Sequence, residues 1–422
     1  MGLFQIKKYF FYLIVSLWLF NLFSCSVREH DNVFDPKSGI DSLNFELILT
    51  KADSLISFFW YPPGNVDYQG FHIYRRVLGQ DKFSSRAVLD SKQTTFTDTA
   101  VSFDFKYFYY LTLIGQSGES PPTKILATIP GPGTIWVLDR WDEYIYKYSY
   151  DLQHHYLKHY AIWIPQDLAF NKKEHQALIT YPLFHYAELI DAESGQLIND
   201  INDLKYPYAC AFHPLQKSFW ISDSGGYLYR FQAGNLQNKR LIDDGLNKPV
   251  TVAIDADGLV YVLDAGLNQI LLYNAGGSKV DAITDPWKIT FVTVNHKTNQ
   301  VYFISKKADS AKLYQYLPLS KEKKLILKEQ NIDLIRQSSY DQTLWLVQNF
   351  ENSARIVQLS VDGLRLKNLN GYKKIEDLAV NPYNGNLVVA DRGAHQVVHL
   401  SLTGEIIGKL SNAPFPFRII IQ

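Results

Sequence analysis

Seven positions in this 422-residue chain recur at nearly constant distance: Asp139, Thr180, Asp223, Asp264, Ser305, Gln348 and Asp391, with differences of 41, 43, 41, 41, 43 and 43 residues. Each ends a short apolar run rich in β-branched and aromatic residues, and each is followed by a turn and a second such run. A period of about 40 to 45 residues means copies of one supersecondary unit, none of which can bury both of its faces alone. The chain must therefore fold by stacking the copies against one another.

The unit is clearest at 257–283, DGLVYVLDAGLNQILLYNAGGSKVDAI. Here VYVLD, QILLYN and KVDAI read as strands, separated by AGLN and AGG, and KPVTVAID just upstream supplies a fourth. Other copies keep the same order, with DLAF, CAF, VTV and DLAV before the anchor and YIYKY, YLYRF, RIVQL and QVVHL after it. Pro165, Pro207 and Pro249 precede the first strands, where the missing amide proton costs no ladder bond. Four-stranded units at this period predict a β-propeller. The last residues, PFRIIIQ at 416–422, repeat the first-strand pattern with no second strand after them, whereas residue 134 opens directly on a second strand, TIWVLD. The two ends are expected to share one blade, with Ile419 to Ile421 on Ile135 to Leu138, which closes the ring and leaves no open end. Seven blades follow, or six if the weaker second or sixth unit is not a blade.

The N-terminus has a different character. Lys7 and Lys8 precede an apolar run, Tyr9 to Phe20, of signal-peptide rather than membrane-span length, and the run leads to Leu22-Phe23-Ser24-Cys25. This tetrapeptide resembles the lipobox of bacterial lipoproteins. The resemblance implies removal of 1–24 and lipidation of Cys25. Ser26 in place of the aspartate of inner-membrane lipoproteins implies export to the outer membrane, with periplasmic or surface exposure left open. Residues 25–41 then form a polar tether. Removal of 1–24 takes Lys7 and Lys8 and no acid from a chain with 42 bases and 42 acids, leaving 40 against 42. So balanced a chain has no electrostatic footprint for nucleic acid. Cys210, the one other cysteine, is expected to be a buried apolar residue.

Between them, residues 42–129 carry about seven short alternating strands, the pattern of a β-sandwich. Trp60 with Pro62 and Pro63, GFHIYRR at 70–76, TTFTDT at 94–99, Tyr107 with Tyr109 and Leu111, and GESPPT from Gly118 resemble a fibronectin type III domain. The resemblance implies a core role for Trp60, a corner role for Tyr107, and a spacer or interaction module. Pro130 to Gly133 read as a hinge. The repeats over 134–422 resemble NHL repeats, best at 249–283 and 375–410, with Thr180, Ser305 and Gln348 departing from the family's aspartate. The fold class expected is all-β, a fibronectin type III-like sandwich followed by a seven-bladed propeller.

No GxSxG, HExxH, P-loop or dinucleotide fingerprint is present. No catalytic residue and no cofactor is implied. Asp167, Asp333, Glu376 and Asp377 fall near the starts of first strands, which line a propeller's channel. Gluconolactonase-like propellers hold a divalent metal with such carboxylates, so a metal-dependent hydrolase or lyase is the alternative. In an up-and-down meander the second-to-third-strand turns and the connections between blades share one end. That end is expected to carry Arg140, Trp141, Tyr181, His185, Phe350, Arg392 and His395 on turns and Trp163, Tyr206, Tyr208 and Trp287 on connections. The opposite turns are mainly small and polar. Aromatic and Arg enrichment marks recognition surfaces. The expected function is a lipid-anchored envelope protein that binds a protein, peptide or glycan through this end, with a purely structural role as a third reading.

Overall fold

The computed structural model describes residues 32–35, 43, 47–52, 55–61, 64, 66–101, 105–116, 118–130, 134–161, 164–295, 298–382 and 384–422. The signal, Cys25 and the Pro/Gly hinge at 131–133 lie outside the described residues. Secondary structure is strand throughout, apart from two short 3-10 turns at Pro182–Phe184 and Arg392–Ala394. Among the described residues no helix is long and apolar enough to cross a membrane. The chain divides into two compact units, one reaching Thr128 and the other comprising mainly Ile129–Gln422.

The first unit has two antiparallel sheets. Leu47–Ala52, Leu55–Trp60 and Thr95–Asp98 form one; Ser84–Asp90, Gly70–Val77, Tyr107–Ile114 and Leu126–Thr128, in that order, form the other. Trp60 is fully buried, edge-on to Phe71 at 5.2 Å, and Phe58 packs on Tyr109 at 4.7 Å. Tyr107 is buried as well, but it is the Tyr109 hydroxyl that donates to Asp98 (2.9 Å). Asp98 also accepts from Arg75 and Arg86, so its burial is matched by charge and hydrogen bonds.

The second unit contains seven four-stranded antiparallel sheets among the described residues, here named A to G in chain order. Sheet A covers 135–160, B 167–201, C 207–243, D 249–284, E 288–330, F 332–372 and G 375–410. In B to G the strands lie in sequence order. Sheet A takes its first strand from the C-terminus: Pro416–Ile421 pairs antiparallel with Ile135–Asp139, Ile419 opposite Val137 and Ile421 opposite Ile135. Seven apolar cores lie between consecutive sheets, including one between G and A built on Ile135, Val137, Val388, Val397 and Ile419. The sheets thus form a closed cycle, the arrangement of a β-propeller.

This packing explains why the second strands read as unbroken apolar runs. In sheet D every residue of Val260–Asp264 is buried, Val260 and Val262 against sheet C and Tyr261 and Leu263 against sheet E. The residue three before the anchor faces the next sheet, and in five sheets it is a fully buried large ring: Trp136, Trp220, Tyr261, Tyr302 and Trp345.

The same facing rule corrects the second unit. Leu178 faces sheet C, while Ala177, Ile179 and Tyr181 face sheet A. The side chain equivalent to the anchoring aspartates is therefore Tyr181 and not Thr180, 42 residues from both Asp139 and Asp223. A one-residue shift in a strand exchanges its faces, so burial settles the register where the residue type does not.

Candidate binding face and channel

Each second strand ends at the end of the ring where the sheet-to-sheet connections run, and the four anchoring aspartates reach the connections that enter their sheets. Asp264 accepts from the amides of Asn247 and Lys248 and, in its own turn, from Gly266 and Leu267. Asp223 does the same with Lys205, Tyr206 and Gly225, Asp391 with Lys373 and Lys374, and Asp139 with Phe415, Trp141 and Asp142. These fully buried carboxylates are turn caps that hold connection and turn together. Gln348 does this differently, donating to the Gln330 carbonyl (2.7 Å).

Close approach also explains the D-x-G turns of sheets C, D and G. A Cβ at Gly225 would stand 2.7 Å from the Lys205 Cβ, and one at Gly266 2.5 Å from the Asn247 side chain. Sheet A has Trp141 at this place, and its ring projects outward, 77% exposed. In this unit five aromatic residues are strongly exposed among those described. Four lie at the connection end: Trp141, Tyr160 (57%), Tyr206 (46%) and Phe184 (39%). All four belong to sheets A and B and the B-to-C connection. His185 is exposed beside Tyr206 with ring centroids 5.1 Å apart, its Nδ1 on the Lys205 carbonyl.

The other expected face residues are placed less simply. Tyr181 is not on the surface; as the anchor of sheet B it is buried and its hydroxyl donates to Glu188. Trp163 lies outside the described residues. Tyr208, Trp287 and Phe350 are half-buried, Phe350 beneath the Arg355 guanidinium at 5.3 Å. Arg140 lies over the Phe417 ring at 3.2 Å and donates to Gln166, and burial lowers its pKa. Arg392 covers Phe415 at 4.7 Å; His395 is exposed with Nδ1 on the Pro414 carbonyl (2.6 Å). The opposite end is less polar than its turns suggest, since Leu215, Leu319, Leu364 and Tyr340 are exposed there. The two ends differ in aromatic content rather than in apolar content.

First strands bring the four channel carboxylates toward the centre, and each meets a basic side chain. Arg418 lies 3.1 Å from Asp167 and 3.5 Å from Asp377, Arg336 donates to Asp377 (2.7 Å), Lys306 to Asp333 (2.5 Å), and Arg392 pairs with Glu376 (2.8 Å). Asp167, Arg418, Asp377 and Arg336 thus alternate in charge across sheets B, A, G and F. Burial works against the Arg418 charge, and the two carboxylates outweigh it and raise its pKa. At Arg336 burial dominates and lowers the pKa despite Asp377. A cavity of about 250 Å³ opens beside this chain of charges, lined by Asp333, Glu376 and Asp377 and matched by Arg336, Lys374 and Arg418. Among the described residues no group of three or more His, Cys, Asp or Glu is placed to hold a metal ion. Cys210 is buried, its amide on Asp167 (3.1 Å), and burial pushes its thiol pKa well up.

No family model matches the chain, and no curated protein sequence matches it.

Solved structures do. A protein from Lactobacillus plantarum superposes with a TM-score of 0.55 at 11% identity, and a functionally unknown protein from Desulfotomaculum acetoxidans with 0.55 at 12%; each comparison covers 68% of this chain and 98% of the other. The β-propeller domain of Myceliophteria thermophila Cps50 (Swd1) gives 0.48 at 12%, over 61% and 93%. At these identities the first two bear on fold alone, and the third is too distant to add to that. Function must be argued from the site itself.

Proposed function

We propose that this is an exported, lipid-anchored binding protein in which a fibronectin type III-like domain precedes a seven-bladed, NHL-like propeller that recognises an envelope protein, peptide or glycan at its connection end. One observation carries the reading. Four of the five strongly exposed rings described in the propeller unit gather at that end, on sheets A and B and the B-to-C connection, while the channel carboxylates are already matched by Arg and Lys. Exposed Trp and Tyr beside basic groups are the residue types that dominate binding energy at interfaces. A metal-dependent hydrolase would need those carboxylates free for a cation, so the same observation weighs against the enzyme alternative.

The test is capture from an envelope extract. Replacing Trp141 and Tyr206 with Ala is expected to abolish retention of the native partner, at about 2 kcal/mol or more per buried anchor, mainly by faster dissociation. Substitutions at Asp362 and Glu405, in turns of the opposite end, are expected to leave it intact. Normal capture by the aromatic double variant would overturn the assignment of the face.

Anchoring has its own measurement. Cys25→Ala is expected to abolish lipid labelling and to leave unprocessed or soluble protein, since the acyl chains supply the membrane affinity. Unchanged fractionation and processing would refute the anchor.

A further inference from the structure

Sheet E is electrostatically unlike the rest of this neutral chain. Residues 288–330 hold nine lysines against Asp309, Glu322 and Glu329, an excess of six positive charges. Five of the lysines stand at the connection end: Lys288 on the first strand, Lys306 and Lys307 on the second, Lys312 on the third and Lys328 on the fourth. Lys306 is matched by Asp333. Among the described residues no carboxylate pairs with the other four.

The geometry at Lys312 and Lys328 is specific. They are directly opposite each other on neighbouring strands, and both ammonium groups lie over the Trp287 ring, at 4.2 and 5.6 Å from its centroid. Like charges directly opposite on a sheet repel, and the ring offsets this only in part. Lysines on an outer strand guard a sheet edge against pairing. That account covers Lys323 and Lys324; it does not cover Lys312, which is half-buried on an inner strand. An anion placed between the two ammonium groups would remove the repulsion.

We infer that this rim of sheet E docks an acidic segment of a partner protein, an inference that rests on the connection end being the working face. The ring here has ammonium groups over it, Lys312 and Lys328 at Trp287, so charge rather than a stacking platform for sugar is what the surface offers. Exposed Leu267 adjoins it, in the turn whose Asn268 donates to the Trp287 carbonyl (3.2 Å), and would take an apolar side chain beside the acids. Four strands place the lysine row across about 14 Å, the length over which an extended segment presents carboxylates at three alternate positions.

The probe is a dye-labelled peptide of alternating Glu and Val, followed by anisotropy on the full chain. Lys312→Glu with Lys328→Glu is expected to weaken binding at least tenfold at low salt, with the difference shrinking at high salt. Lys312→Gln with Lys328→Gln should weaken it less, the double Arg variant should retain it, and Lys324→Gln at the other end of the same strand should not change it. Circular dichroism and melting establish that each variant is folded. Equal binding by folded wild type and Glu variants overturns the inference, as does tighter binding of an oligogalacturonate or of phosphatidylglycerol vesicles than of the peptide. Trp141→Ala with Tyr206→Ala should leave peptide binding in place. If that variant also keeps the native partner, the working-face reading fails while the lysine result stands on its own.

Discussion

A chain ending at Phe415 is expected to lose several kcal/mol of stability, since a fully buried Ile side chain contributes about 1.5–3 kcal/mol and the deletion removes one buried and two half-buried Ile side chains. Ile419 is buried between sheets G and A, and Ile420 packs toward sheet B. Deletion also exposes the backbone edge of Ile135–Asp139 and removes Arg418 from between Asp167 and Asp377. A buried charge left without its partner is costly, so the loss should exceed that of the apolar contacts alone. Denaturant unfolding of the truncated chain reads this directly. An unchanged midpoint would mean that the terminal strand does not hold the ring.

The second large effect is on pH. His399 on the third strand of sheet G is fully buried, its ring 4.3 Å from Tyr150 of sheet A. Burial holds its pKa at about 4, against the raising influence of the Tyr150 backbone and Asp151. Between pH 6.5 and 4 the unfolded chain binds a proton at this residue and the folded one does not. Stability therefore falls as pH falls through this window, by about 3 kcal/mol in total, and this group adds no further loss below it. Burial also lowers the pKa of His213, which acts in the same direction. His399→Phe should flatten most of the slope in a series of denaturant midpoints from pH 7 to 4. Parallel curves for the two proteins would show that His399 is not the source.

The repeat was legible because its signals are local and recur. The aspartate at the strand end, the D-x-G turn and the proline before the first strand follow from bonds made within about 20 residues, as between Asp264 and the amides of 247 and 248. What escaped sequence reading was set by contacts across the ring. Tyr181 aligns as a surface residue only while the register of sheet B is one residue off, and nothing in YPLFHY marks the shift. The partners of the channel carboxylates were equally invisible: Arg418 is 251 positions from Asp167, and no spacing rule links them. Rings on connections and turns were overcounted as exposed, because Tyr208, Trp287 and Phe350 are half-buried.

The pairing of Pro416–Ile421 with Ile135–Asp139 also bears on how the chain is made. Sheets B to G can each assemble from contiguous sequence as it emerges, but sheet A cannot be completed until residues 416–421 are available. Closing a loop of that length is slow relative to local pairing. A chain that lacks residues 416–421 therefore carries an open sheet A, with the apolar faces beside it uncovered. Such species are prone to aggregate and are what chaperones and proteases recognise. The closing strand thus ties completion of the ring to residues made some 280 positions after the strand they pair with.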